Sequence, residues 1–117
     1  MHIHIGVKDS IEAIDVYNRL VGSFDELRDM GNTCGGQRLE LYRLMASDAT
    51  PRLYSSWDDY HEVMQERGCV EDPRQCWDMV RISTHGTVEV RVFDAVPDIE
   101  RIVSWAQAVT RLASIVP

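Results

Sequence analysis

The sequence contains almost no lysine. Lys8 is the only one, so eleven of the 12 basic side chains are arginines, and 19 acidic residues leave a net charge of −7. This balance argues against a nucleic-acid partner, because phosphate contacts along nucleic acid need clustered basic side chains. Arginine is better suited than lysine to fixed, bidentate contacts with carboxylates and phosphates. The composition is compatible with an anion-binding site, although surface ion pairs are the simpler explanation for most of the arginines.

Long apolar runs and paired cysteines are also missing. No stretch of about 18 apolar residues predicts a membrane helix, and no signal-peptide pattern is present. Cys34, Cys69 and Cys76 are an odd number without a Cys-x-x-Cys pair. This pattern favours reduced thiols in a cytoplasmic protein. The length of 117 residues predicts a single domain, residues 1–117.

Every second residue from Val88 to Val92 is valine, and this alternation predicts a β-strand over residues 87–93. Successive side chains of a strand point to opposite faces, so the valines are expected to share one face. The other face is then predicted to carry Thr87, Glu89, Arg91 and Phe93. The pattern is typical of a sheet with one side on a hydrophobic core and the other on a polar cleft.

Two further segments repeat this alternation. His2 and His4 share a face near the N-terminus, and Arg81 and Ser83 share a face in segment 79–83. If the three strands lie side by side, their polar side chains converge on one surface. We define this predicted polar surface by the residues His2, His4, Arg81, Glu89 and Arg91.

Apolar residues at helical spacing predict helices at about residues 10–30, 56–67 and 97–115. Pro97 suits the first position of the last helix, and Trp57 is expected to be buried in the one before it. The order of elements predicts an α+β domain. In this fold a small, mainly antiparallel sheet has helices packed on one face.

The residues of the polar surface allow more than one chemical interpretation. His2 and His4 suit a divalent metal or phosphate, or they form an exposed strand edge with no ligand. Glu89 lies between valines, and a half-buried carboxylate needs a partner. That partner is either a neighbouring arginine, in a structural ion pair, or a metal ion. The candidate anion contacts, for which structural ion pairs are again the alternative, are Arg38, Arg81 and Arg91.

Two motifs together resemble one known family. His-Ile-His-Ile-Gly at residues 2–6 is followed much later by Gly-Thr-Val-Glu-Val-Arg at residues 86–91, and Trp77, Arg81 and Ser83 precede the second motif. In this order they resemble the carboxylate–amine ligases of the type 2 glutamate–cysteine ligase family. That family belongs to the glutamine synthetase-like superfamily, so the resemblance implies half of a glutamine synthetase-like catalytic domain.

The resemblance also implies roles for individual residues. His2 and Glu89 match ligands of a divalent metal, Mg²⁺ or Mn²⁺, that bridges the phosphates of ATP, and His4 matches a nucleotide-contacting position. The implied reaction activates a carboxylate with ATP to an acyl phosphate, which an amine then attacks. Phosphoryl transfer depends on metal and guanidinium charge more than on a protein nucleophile. Positions that stabilise phosphate or acyl-phosphate charge correspond to Arg91, Arg81 and Arg38, with Arg91 also contacting the nucleotide.

The family's domain is several times longer than this chain and carries further metal carboxylates in an N-terminal half. The resemblance therefore implies a C-terminal half that is inactive alone. A missing N-terminal half, a partner chain or a second copy would complete it around small-molecule carboxylate and amine substrates. The alternative is a non-catalytic domain of the same fold that binds a nucleotide or a partner. A third possibility is a small oligomer, formed through an open sheet edge.

Overall fold

The computed structural model describes residues 2–31, 52–71, 79–83, 86–91, 93 and 97–114. In chain order, these ranges contain β1, α1, α2, α3, β2, β3 and α4. The strands are β1 (Ile3–Gly6), β2 (Val80–Ser83) and β3 (Thr87–Val90). The helices are α1 (Ser10–Gly22), α2 (Phe24–Gly31), α3 (Trp57–Glu66) and α4 (Ile99–Ala113). The predicted α+β fold class is confirmed.

The sheet is antiparallel, and β3 is its central strand in the order β1-β3-β2. On one side of β3, Ile3 pairs with Val90 and His4 with Glu89. On the other side, Arg81 pairs with Glu89. Residues that are paired across neighbouring strands point to the same face. His4, Glu89 and Arg81 therefore form one row across the sheet, as the alternation in the sequence predicts.

Gly86 connects the three strands at one end of the sheet. Its N–H donates to the carbonyl of Ser83 at 3.3 Å, and its carbonyl accepts from the N–H of Val7 at 3.1 Å. Its φ of 80° lies in the left-handed region, which glycine adopts without steric penalty. This backbone conformation positions β3 to pair with β2 and β1 at once.

One face of the sheet forms the base of the hydrophobic core. α1 packs over β2 and β3, while α4 packs over β1 and α1. The valines Val80, Val88 and Val90 of this face have no exposed surface. Full burial of each such side chain stabilises the fold by roughly 1.5–3 kcal/mol. The helices cover these valines with Tyr17, Leu20, Trp105 and Val109.

The first helical segment differs from the prediction, because two helices replace the single helix expected at 10–30. α1 ends where the N–H of Ser23 bonds to the carbonyl of Leu20 at 3.1 Å. The carbonyl of Ser23 then accepts from the N–H of Leu27 at 3.0 Å and begins α2. Gly22, just before the break, has low helix propensity. Leu20 and Leu27 are both fully buried, so the break keeps both helices on the core.

The alternation also fails at Phe93, which was predicted to share the face of Glu89. β3 ends at Val90, and the Phe93 ring is fully buried in the core. It lies 5.0 Å from the Trp105 ring, measured between centroids. The apolar ring is stabilised by this aromatic packing, which the polar face does not offer.

Two predictions about the later helices are wrong in detail. α4 begins at Ile99 and not at Pro97, because the carboxylate of Asp98 caps the helix by accepting from the N–H of Glu100 at 3.0 Å. Trp57 is 36% exposed and lies outside the core. Its ring packs on Tyr60 at a centroid distance of 5.3 Å. Trp105 is buried as predicted, whereas Trp77 lies outside the described residues.

Candidate functional site

The face of the sheet opposite the helices carries the polar surface predicted from the sequence. Register places Glu89 in the middle of the row, with His4 on β1 and Arg81 on β2. His2 precedes β1 and Arg91 follows β3, and both reach the carboxylate of Glu89. The structure therefore brings together all of the predicted residues except Arg38, which lies outside the described residues.

Glu89 is the centre of this surface and is only 2% exposed. Its Oε1 lies 2.6 Å from Nδ1 of His2, and its Oε2 accepts from Nε of Arg81 at 2.8 Å. Nε of Arg91 lies 3.6 Å from Oε1. An ionised carboxylate so deeply buried is stable only because cationic and N–H groups surround it. The structural ion pair considered from the sequence is present, and it involves His2 as well as the arginines.

The electrostatics of the site favour the charged form of Glu89. Burial opposes ionisation, but the hydrogen bond and charge of Arg81, joined by the charges of His2 and Arg91, outweigh it. The pKa of the Glu89 carboxyl is therefore lower than its ordinary value. Glu89 remains a full negative charge at neutral pH, as a metal ligand must.

The two arginines differ in how firmly they are held. The side chain of Arg91 is 9% exposed, and its backbone N–H donates to the carbonyl of Met79 at 2.7 Å. The side chain of Arg81 is 26% exposed and is fixed by its short bond to Glu89. Neither guanidinium has the freedom of a surface side chain. Fixed guanidinium groups of this kind can bind an anion without losing much conformational entropy.

His4 is held by a group that the sequence reasoning did not assign to the site. Its Nδ1 lies 2.8 Å from Oγ1 of Thr87. Thr87 pairs directly with Gly6, so it is the diagonal neighbour of His4 across the two strands. The alternation already placed Thr87 on the polar face, and the absence of a side chain at Gly6 was the available signal that the His4 ring can reach it.

Within the described residues, His2, His4 and Glu89 form a group that could hold a metal ion. One potential ligand atom from each lies within 4.8 Å of the other two. Two imidazoles and one carboxylate fit a divalent cation, whose remaining ligands must then come from elsewhere. Mg²⁺ prefers an octahedron of oxygens, while imidazole suits the softer first-row ions. These residues thus fit Mn²⁺ as they stand. They fit Mg²⁺ when phosphates and water supply the remaining oxygen ligands.

The helices give no sign of a membrane span. In the described ranges, no helix combines the length and the apolar character that crossing a bilayer requires.

Comparisons with known proteins agree with the motifs from which the resemblance was inferred. The sequence model of glutamate-cysteine ligase family 2 (GCS2) matches residues 36–116. A putative glutamate–cysteine ligase 2 of Micrococcus luteus is 28% identical, over 87% of this chain and 29% of the relative. A glutamate–cysteine ligase of Haloferax volcanii is 26% identical, over 96% of this chain and 35% of the relative.

A third relative, a putative glutamate–cysteine ligase 2 of Ruegeria pomeroyi, is 30% identical over 96% of this chain and 34% of its own length. The chain thus spans about a third of the length of the curated relatives it matches. No solved structure matches it significantly. The family match covers more than half of the chain and includes the segment that carries Arg81, Glu89 and Arg91. We conclude that this chain belongs to glutamate-cysteine ligase family 2.

Proposed function

We propose that the polar surface is part of the catalytic site of an ATP-dependent carboxylate–amine ligase with glutamate and cysteine as its substrates. One observation carries the proposal: a buried carboxylate, Glu89, lies at the centre of two guanidinium and two imidazole groups on the sheet face opposite α1 and α4. A purely structural strand has no need of so many charges at one point. A site for metal and phosphate does need them.

In this site His2 and Glu89 hold a divalent cation, Mg²⁺ or Mn²⁺, and His4 contacts the phosphates of ATP. The cation supplies charge neutralisation on the phosphate oxygens when it is bound. The proximity of the His2 and Glu89 side chains supports the assignment of the cation. So does the lowered pKa of Glu89, because a metal ligand must be deprotonated.

Arg91 and Arg81 stabilise the negative charge that moves during the reaction, with Arg38 as a third candidate. In the first step, a substrate carboxylate oxygen bonds to the γ-phosphorus and ADP leaves. In the second step, the amine nitrogen bonds to the acyl carbon, its proton is lost to solvent, and inorganic phosphate leaves. Fixed guanidinium groups stabilise such transferring phosphoryl groups electrostatically. The near-complete burial of the Arg91 side chain supports this role.

A chain that spans about a third of its relatives' length is expected to need more protein for turnover. We propose that a missing N-terminal half, a partner chain or a second copy supplies further metal carboxylates and the substrate pockets. The chain alone is then expected to bind nucleotide and metal without forming product. The buried free thiol of Cys69 accords with the cytoplasmic location proposed for this ligase.

A specific observation favours a second candidate, a non-catalytic nucleotide- or partner-binding domain of the same fold. The metal-ligating group found in the described residues includes one carboxylate only, whereas two-metal phosphoryl-transfer sites bind their cations with several oxygens. In this case Mg·ATP or a partner protein binds to the same face, but no extra chain restores turnover.

The first experiment measures binding of ATP to the 117-residue chain by calorimetry, with Mg²⁺ or Mn²⁺ in excess. The ligase proposal predicts saturable binding that falls at least about 10-fold in Glu89→Gln, because the ligand charge is lost. Glu62→Gln is the matched control, since Glu62 is exposed on α3. Equal ATP affinity in wild type and Glu89→Gln, both shown to be folded, would contradict the assignment of Glu89.

The second experiment distinguishes the two candidates by turnover. Amide formation from glutamate and cysteine is measured with the chain alone and with extracts of its source cells that contain the remaining components. ADP and dipeptide formed in equal amounts, and depleted by removal of this chain, support the ligase. Binding of Mg·ATP without any dependence of dipeptide formation on the chain supports the non-catalytic domain.

A further inference from the structure

His2 and His4 of the polar surface each make a contact through their ring nitrogen Nδ1, but the two contacted groups differ in chemistry. Nδ1 of His2 lies 2.6 Å from Oε1 of Glu89. Nδ1 of His4 lies 2.8 Å from Oγ1 of Thr87. A carboxylate that is ionised can only accept a hydrogen bond, whereas a threonine hydroxyl can donate one. The partner of Nδ1 decides which ring nitrogen carries the hydrogen in a neutral imidazole.

For His2, the partner of Nδ1 is a carboxylate, which requires the ring hydrogen to be on Nδ1. The Glu89 carboxyl is ionised at neutral pH, so Nδ1 of His2 must donate to it. The lone pair of a neutral His2 ring is then on Nε2.

For His4, the geometry allows the opposite tautomer. Thr87 lies on β3 next to the row that contains His4, and it pairs with Gly6, where no side chain blocks the ring. Threonine is β-branched and stiff at χ1, so the strand holds its hydroxyl in place. A phosphate oxygen only accepts hydrogen bonds, so a ring that contacts phosphate must present an N–H.

We propose that Thr87 is a positioning residue that donates its hydroxyl hydrogen to Nδ1 of His4 and thereby keeps the ring hydrogen of His4 on Nε2. The assignment of Nε2–H to a phosphate contact rests on the proposed function. The two histidines, one on each side of Ile3, then carry their ring hydrogens on different atoms: His2 on Nδ1, facing Glu89, and His4 on Nε2, facing the anion.

The tautomers are measured directly by long-range ¹H–¹⁵N correlation of the imidazole rings in the labelled 117-residue chain. The spectra are recorded at about pH 8, above the ordinary imidazole pKa of about 6.5. The expected result is hydrogen on Nε2 for His4. Hydrogen on Nδ1 of His4 in the wild-type chain would overturn the proposal, whatever nucleotide binding shows.

Variants of Thr87 test the cause of this preference. Thr87→Val removes the hydroxyl but keeps the shape that suits a strand, and it is expected to give a mixture of His4 tautomers. Thr87→Ser keeps the hydroxyl and is expected to restore Nε2–H. The matched control is Thr110→Val, which removes a hydroxyl that bonds to the carbonyl of Ala106 on α4, away from the sheet face. An unchanged His4 tautomer in Thr87→Val would contradict the positioning role.

ATP affinity in the presence of Mg²⁺ provides the second measurement. Loss of the orienting group is expected to weaken binding about 10-fold in Thr87→Val, with recovery in Thr87→Ser. If the tautomers behave as expected and wild type binds no ATP, the positioning role stands and the proposed function fails. If wild type binds ATP and Thr87→Val binds it equally well with an unchanged tautomer, the proposed function stands and the positioning role fails.

Discussion

The two faces of the three-stranded sheet are built from alternate residues of the same strands, yet they are buried by different means. Val88 and Val90 on the helix side have no exposed surface, and Glu89 between them is only 2% exposed. The valines are buried by contact with α1 and α4. Glu89 is instead surrounded by charged side chains, His2, Arg81 and Arg91.

Equal burial on the two faces therefore does not mean equal energetics. Removing apolar surface from water stabilises the fold in proportion to area. Removing a charge from water is unfavourable, and its partners offset that penalty without a large net gain. The apolar face therefore provides stability. On the polar face, the penalty of burying Glu89 and the stabilisation from its partners nearly cancel. Perturbed, buried charges of this kind are typical of functional sites.

The largest expected effect comes from placing a charge on the apolar face. Val88→Asp introduces an unpaired carboxylate into the core, and we expect a loss of roughly 4 kcal/mol or more, enough to unfold a marginal domain. Circular dichroism and chemical denaturation measure this loss. Val103→Asp is the control, since Val103 is 48% exposed on α4. Similar stability of the two variants would contradict the assignment of the core face.

A slightly smaller effect is expected from removing the charge at the centre of the polar face. Glu89→Gln leaves Arg81 and Arg91 without their shared carboxylate, and breaking a buried pair in this way lowers the free energy of unfolding by about 3 kcal/mol. Urea denaturation at neutral pH measures the change. Glu62→Gln, on the exposed surface of α3, is expected to change stability by less than about 0.5 kcal/mol.

The pH dependence of the free energy of unfolding tests the same carboxylate, Glu89. The pKa of folded Glu89 lies below its ordinary value of 4.5, so the unfolded chain binds the proton more readily. The contribution of Glu89 is then complete above that value and is lost as the pH falls through the folded pKa. The gap in stability between wild type and Glu89→Gln should therefore narrow as the pH falls below about 4.5.

Comparing wild type with Glu89→Gln also removes the pH-dependent stability contributed by a second carboxylate, Asp59. The backbone hydrogen bond from Ser55 lowers the pKa of Asp59 against the opposing desolvation, with help from the charge of Arg52. Asp59 is present in both proteins and cancels in the comparison. A gap that stays constant or widens as the pH falls below about 4.5 would show that Glu89 is not held ionised by its neighbours.

The smallest expected effect comes from a helix end that belongs to neither face. Asp98 caps α4 by accepting from the N–H groups of Glu100 and Arg101. Asp98→Ala is expected to lower the free energy of unfolding by about 1 kcal/mol. Thermal unfolding measures it, and Asp98→Asn should recover most of the loss. If Asp98→Ala lowered the free energy of unfolding as much as Glu89→Gln does, the buried charge of Glu89 would contribute no more to stability than a helix cap.

Much of this comparison could be predicted from the sequence because a strand has a strict period of two. Alternation alone assigned Val88, Glu89 and Val90 to their faces, and the register then aligned His4 and Arg81 with Glu89. Helical spacing similarly identified the helices that cover the core. Local periodicity is reliable where the chain stays regular.

The sequence was a poorer guide where tertiary packing overrides local pattern. Phe93 leaves the alternation because β3 has ended and the ring packs on Trp105. The break at Ser23 allows both α1 and α2 to pack on the core, whereas the apolar spacing predicted one continuous helix. The contact of His4 with Thr87 depends on a diagonal across two strands that are distant in sequence, and no local pattern specifies a diagonal partner.

A bound cation on the polar face can be located directly by paramagnetic broadening. Mn²⁺ is titrated into the labelled chain, and paramagnetic broadening of the histidine ring signals is recorded with and without ATP. The site described here predicts selective broadening of His2 and His4, reversed by excess Mg²⁺, while His61 on the exposed surface of α3 stays sharp. Equal broadening of all three rings, or broadening of His61 alone, would contradict a metal and nucleotide site on this face.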